Sequence, residues 1–123
     1  ERVQLVGAVP QAAVVAYLNA ADVLAIPDTV TDMTASPLKL FEYLALGQPL
    51  VLPDLPALRE VLPPTLGHYF ARRDLLGLQA ALIAALHART DRQAQAARRT
   101  LAQAHTYGRR AERILELAAQ VRG

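Results

Sequence analysis

The chain has 123 residues, 53% of them hydrophobic, with a formal net charge of +2 and no cysteine. That is enough for one modest domain with a real core and too little for two, and it excludes disulfides and thiolate metal sites. No run of about 18 apolar residues and no signal-peptide pattern is present, which points to a cytoplasmic protein. Charge is uneven. Residues 1–71 carry three basic and seven acidic side chains, whereas residues 72–123 carry ten arginines against four acids. A basic C-terminal half suits nucleic acid, an anionic acceptor or a membrane surface, but without an aromatic platform the nucleic-acid reading is set aside, and the arginines read as solvated helix faces. His68, His87 and His105 are scattered and lack metal-ligand spacing, so no metal is expected.

In chain order, Arg2 to Val6 reads as a strand closed by Gly7. A helix follows, with Pro10 suited to its first turn and Val14, Val15, Leu18 and Ala21 at helical spacing. Val23 to Ile26 is a short apolar run stopped by Pro27, as in a parallel strand buried on both faces. Residues 28–35 read as an irregular loop. Ser36 and Pro37 then start a helix that should run to Leu46 and stop at Gly47. Pro49 to Leu52 is a further buried strand, Asp54 to Leu62 a short helix, and His68 to Phe70 a brief last strand. From Asp74 onward the pattern is helical, with breaks near Thr90 and Gly108. One stripe is Leu75, Leu78, Leu82 and Leu86, a second Ala94, Ala97 and Leu101, and a third Ala111, Ile114, Ala118 and Val121. Tyr17, Phe41, Tyr43 and Phe70 read as packing residues.

Strands alternating with helices predict an α/β fold: a partial Rossmann-like parallel sheet of three to four strands, flanking helices and a helical C-terminal segment. Ligands in such sheets sit beyond the carboxyl ends of the strands, which selects Gly7 to Pro10, Pro27 to Ser36 and Pro53 to Leu55. The ordinary dinucleotide and P-loop fingerprints are absent. Asp28 and Asp32 read as solvated turn residues, and His68 as structural, although it could reach the strand ends.

The segment from Ala35 to Tyr43 is the most informative. The amides of Leu38 and Lys39 would project from a helix end whose dipole favours an anion, and the Lys39 ammonium adds a point charge. Glu42 lies three residues beyond Lys39, on the same helix face, and a carboxylate there can accept two hydroxyl hydrogen bonds, as a ribose diol would offer. The plainer alternative is a capped surface helix on which Glu42 pairs with Lys39 or Arg59. Lysine in a first helical turn opposes the dipole and asks for a reason.

Three blocks of residues together resemble a known family: Ala20 to Pro27, Ser36 to Val51 (SPLKLFEYLALGQPLV), and Asp54-Leu55-Pro56 with Arg59-Glu60-Val61. They are similar to the C-terminal, nucleotide-sugar donor domain of the GT-B retaining glycosyltransferases of group 1, family 4. The likeness extends from Val6 to the Arg110-Ala111 pair. It implies a soluble transferase, cytoplasmic or peripheral to the inner membrane face, that moves a hexosyl group from a nucleoside diphosphate sugar to an acceptor glycan, lipid or small molecule without a metal or other cofactor. It implies that Glu42 binds the ribose, that Ala35, Ser36, Leu38 and Lys39 hold the diphosphate and donor sugar, and that Ala8 and Val9 meet the base through their backbone.

Two departures from the family pattern stand out. Thr34 occupies the position of the first glutamate of the E-x7-E arrangement, so a hydroxyl there would touch the sugar beside the catalytic charge of Lys39. Residues 1–123 also correspond to an incomplete donor domain, without the acceptor domain or the first βαβ portion, and alone should not catalyse transfer. A catalytically silent binding module is the alternative. A flavodoxin-like regulator is a third reading that leaves the Ser36 to Glu42 block unexplained.

Overall fold

A computed structural model describes residues 2–28 and 38–122. The elements are α1 (Gln11–Ala20), β1 (Leu24–Ala25), α2 (Leu38–Leu46), β2 (Leu50–Pro53), α3 (Pro56–Arg59), β3 (His68–Phe70), α4 (Leu75–His87), α5 (Arg92–Ala104) and α6 (Tyr107–Arg122). The strands form a three-stranded parallel sheet in the order β1-β2-β3. Leu24 stands beside Leu50, and Val51 beside His68.

β2 is central and buried throughout, which explains its unbroken apolar run. Its alternation divides the core. Leu50 and Leu52 join Leu24, Leu40, Leu44, Leu55, Leu58 and Leu62 in one cluster, while Val51 joins Phe70, Ala81 and Ala85 in another. α2 and α3 thus cover one face, and α4 packs against β2 and β3 on the other. α5 lies against α2, the most extensive helix pairing of the fold. Asp74 and Asp91 cap α4 and α5, their carboxylates accepting from the Gly77 and Ala94 amides at 2.9 and 3.1 Å.

Several expectations change. Residues 2–6 form no strand: Val3, Leu5 and Val6 are exposed, and among the described residues β1 pairs only with β2. A strand has no ladder of its own, so an apolar run without a neighbour stays irregular. β1 is buried on one side only, at Leu24. The helix after β2 shortens to a single turn followed by turns to Leu62. In α4 the buried residues are Ala81 and Ala85, with Leu78 half-buried, whereas Leu75, Leu82 and Leu86 are exposed. Small side chains let the helix sit close to the sheet, and the larger leucines fall to its flanks. The final break falls at His105 and Thr106, so Gly108 lies inside α6, and the stripe from Ala111 to Val121 is exposed along its length. Tyr17 is exposed as well. No helix among the described residues is long and apolar enough to cross a membrane.

Candidate functional site

The candidate site is built on α2. Leu40 and Leu44, one turn apart, are fully buried. Lys39, Glu42 and Ala45, three residues apart, form the exposed stripe. Burying the leucines therefore fixes the rotation of the helix and turns Lys39 and Glu42 outward together. Among the described residues neither the Lys39 ammonium nor the Glu42 carboxylate has an ion pair or a hydrogen bond. The alternative partner for Glu42, Arg59, is committed elsewhere: it bonds the Asp54 carboxylate and lies over the Tyr69 ring, 4.4 Å from its centroid. Thr34, Ala35 and Ser36 lie outside the described residues, and Leu38 opens the helix.

The far end of α2 is held by two arginines of α5. Gly47 terminates the helix with φ +88°, and a Cβ there would come within 2.8 Å of Arg99 Nε. Arg99 donates from Nε and Nη2 to the Leu46 carbonyl at 3.2 and 3.1 Å. Arg98, only 2% exposed, donates from Nη1 to the Gly47 carbonyl at 2.9 Å and from Nε to the Leu66 carbonyl at 2.8 Å. Cations at a helix C-terminus meet its negative dipole end and satisfy carbonyls that lack a helical partner. Arg98 is thus a buried structural clamp, not part of the solvated face expected from composition, whereas Arg99 remains exposed while it bonds the helix end. Arg98 falls within the Ala94, Ala97 and Leu101 stripe, and that position was the available signal.

A cleft of about 340 Å³ opens beside the exposed stripe, where α2 meets the junction of α5 and α6. Its walls include Phe41, Glu42, Ala45, Ala102, His105 and Arg110. Phe41 stacks on His105 with ring centroids 5.3 Å apart, and the Arg110 guanidinium lies 4.7 Å from the Phe41 centroid. Phe41 is thus a platform as well as a packing residue. Sequence spacing could not place His105 or Arg110 here, because the contact depends on the turn between α5 and α6.

At the carboxyl ends of the strands the chain is tied by polar contacts. The Asp28 carboxylate, after β1, accepts from Arg72 Nε at 3.0 Å and from the Arg73 amide at 2.9 Å, after β3. Asp28 is therefore a half-buried bridge between two loops, not a solvated turn residue. Arg73 adopts φ +62°, the left-handed region that a non-glycine residue enters only when its surroundings hold it there. Asp32 lies outside the described residues. Ala8 and Val9 stand in the irregular lead into α1, with Ala8 exposed and Val9 half-buried, and no strand precedes them among the described residues.

His68 opens β3 and so stands at the amino end of the strand, away from the carboxyl edge, in keeping with the structural reading. Burial, reinforced by the Arg98 charge, holds its imidazole below the ordinary value. The Tyr69 hydroxyl donates to the Leu62 carbonyl at 2.7 Å, and burial pushes its pKa up to about 12. No group of three or more histidine or acidic side chains among the described residues could hold a metal ion.

Residues 1–116 match the model of a family described as glycosyl transferase-like. No curated protein and no solved structure gives a match.

Proposed function

Because the chain belongs to the glycosyl transferase-like family, we propose that it forms the nucleotide-sugar donor-binding part of a GT-B, group 1, family 4 retaining hexosyltransferase. The observation that carries this reading is the pair of exposed charges, Lys39 and Glu42, without partners among the described residues, one turn apart at the amino end of a helix whose rotation the core fixes.

The diphosphate sits at the tip of α2, where the Leu38 and Lys39 amides and the positive end of the dipole face it. The Lys39 ammonium adds a charge that strengthens as the bond from the anomeric carbon to the phosphate oxygen breaks and its electron pair leaves with the diphosphate. The Glu42 carboxylate accepts from the two ribose hydroxyls. Thr34 offers a hydroxyl to the sugar, Ala35 and Ser36 complete the phosphate cradle, and Ala8 and Val9 meet the base through their backbone. The acceptor hydroxyl belongs to a glycan, lipid or small molecule brought by a separate domain, and no metal enters the reaction. A second reading keeps donor binding but not transfer, favoured by Thr34 standing where many members carry a glutamate that balances developing positive charge.

Calorimetric titration of nucleoside diphosphates into the chain, and into a longer one with upstream residues, tests the reading. Glu42→Ala and Lys39→Ala should each weaken binding about tenfold or more, the loss of one charge-assisted contact. Absence of binding in the longer chain, or binding indifferent to both substitutions, overturns it. Sugar transfer by the longer chain separates the enzyme from the silent module.

A further inference from the structure

We infer that Arg110, on α6, is a phosphate ligand of the bound donor, acting from the cleft it shares with Glu42. This rests on the donor-site reading of α2 and adds to it a residue from a different element.

Arg110 and Glu42 line the same cleft, yet no ion pair joins them, and among the described residues Arg110 has no carboxylate partner. Its neighbour Arg109 and the nearby Arg113 do pair, with Glu112 and Glu116. Arg110 is instead half-buried and laid over Phe41, 4.7 Å from the ring centroid, while His105 stacks on the same ring. Stacking occupies the flat face of a guanidinium and leaves its N–H edge free, the edge that fits two oxygens of a phosphate. Packing against the ring also restricts the side chain before any ligand arrives, so less entropy is lost on binding.

The position suits the charge. Phe41 is the fourth residue of α2, within its first turn, so Arg110 over its ring stands in the amino-terminal half of the helix. The cleft, at about 340 Å³, is near the lower limit for small-ligand pockets and matches a ribose with one phosphate, not a whole donor. A diol on Glu42 and an anion on Arg110 are complementary demands that a nucleoside phosphate meets in one molecule.

The test is a ladder of nucleoside, nucleoside monophosphate and nucleoside diphosphate, using whichever of UDP, GDP or ADP binds the chain best. Each is titrated into the unsubstituted protein and into Arg110→Ala, Arg110→Lys and Arg109→Ala. Arg110→Ala should weaken the diphosphate about tenfold or more, leave the free nucleoside within twofold, and flatten the salt dependence of diphosphate binding. Arg110→Lys should recover part of the loss, and Arg109→Ala, which removes equal charge from the same helix, should change little. Should Arg110→Ala fail to fold by circular dichroism, Arg110→Gln keeps a planar group over Phe41 and takes its place. Equal weakening across the ladder, or no weakening, overturns the assignment of Arg110 while the donor site stands if Glu42→Ala still weakens binding about tenfold or more. No binding of any diphosphate by the unsubstituted chain and by the longer one with upstream residues overturns both.

Discussion

α2 and α6 are both amphipathic helices by sequence, but the protein treats them differently. α2 seals Leu40 and Leu44 against the sheet and is gripped at its end by Arg98 and Arg99. α6 leaves Ile114, Leu115, Leu117 and Val121 between 45% and 87% exposed. Periodicity reports which face of a helix is apolar, whereas burial depends on what the rest of the chain brings to that face. Hence α2 turns its surface charges out on a fixed face, while α6 meets α2 where Arg110 lies over Phe41.

The contrast should appear directly in stability. Leu44→Ala empties a fully buried position and should cost about 3 kcal/mol, whereas Ile114→Ala, on an exposed face, should stay within about 0.5 kcal/mol. Urea unfolding of the two variants measures the difference, and equal losses would show that α6 is covered in solution. The glycines sharpen the same point. Gly47→Ala combines a left-handed backbone with a Cβ pressed on Arg99 and the Gln95 carbonyl and should destabilise by about 1–2 kcal/mol. Gly108→Ala would meet only the Thr106 hydroxyl, at 3.9 Å, and should be neutral or stabilise by about 0.5 kcal/mol or more. The smallest effect concerns His68. Its native pKa is depressed, so its contribution is intact above the ordinary imidazole value of about 6.5. That contribution is lost as pH falls through the lower native value, because the unfolded chain binds the proton more readily. A melting temperature followed from pH 8 to pH 5 should decline for the unsubstituted protein, and less steeply for His68→Gln.

Much of the central fold was legible in the sequence because local signals agreed there. The apolar run of β2, the glycine stop at Gly47 and the short strand at His68 to Phe70 each carry their own instruction, and all three stand in the structure. The errors fall where a segment depends on a neighbour. The Arg2 to Val6 run has strand composition but no described strand beside it, and the α4 leucines gave way to Ala81 and Ala85 because the sheet admits only small side chains at close range. Within the candidate site, the outward stripe of Lys39 and Glu42 followed from helical spacing. Arg98 had a signal only in its place within the α5 stripe, and Arg99 and Arg110 had none, because a basic half counted by composition says nothing about which cations reach backbone carbonyls or a ring.

The arginine clamp constrains mechanics as well as energy. Bonds from α5 to the Leu46 and Gly47 carbonyls oppose any slide of α2 along its own axis, which would break several contacts at once. Displacing α2 relative to α5 therefore costs those bonds together with the packing between the two helices, so the pair forms the stiffer side of the cleft.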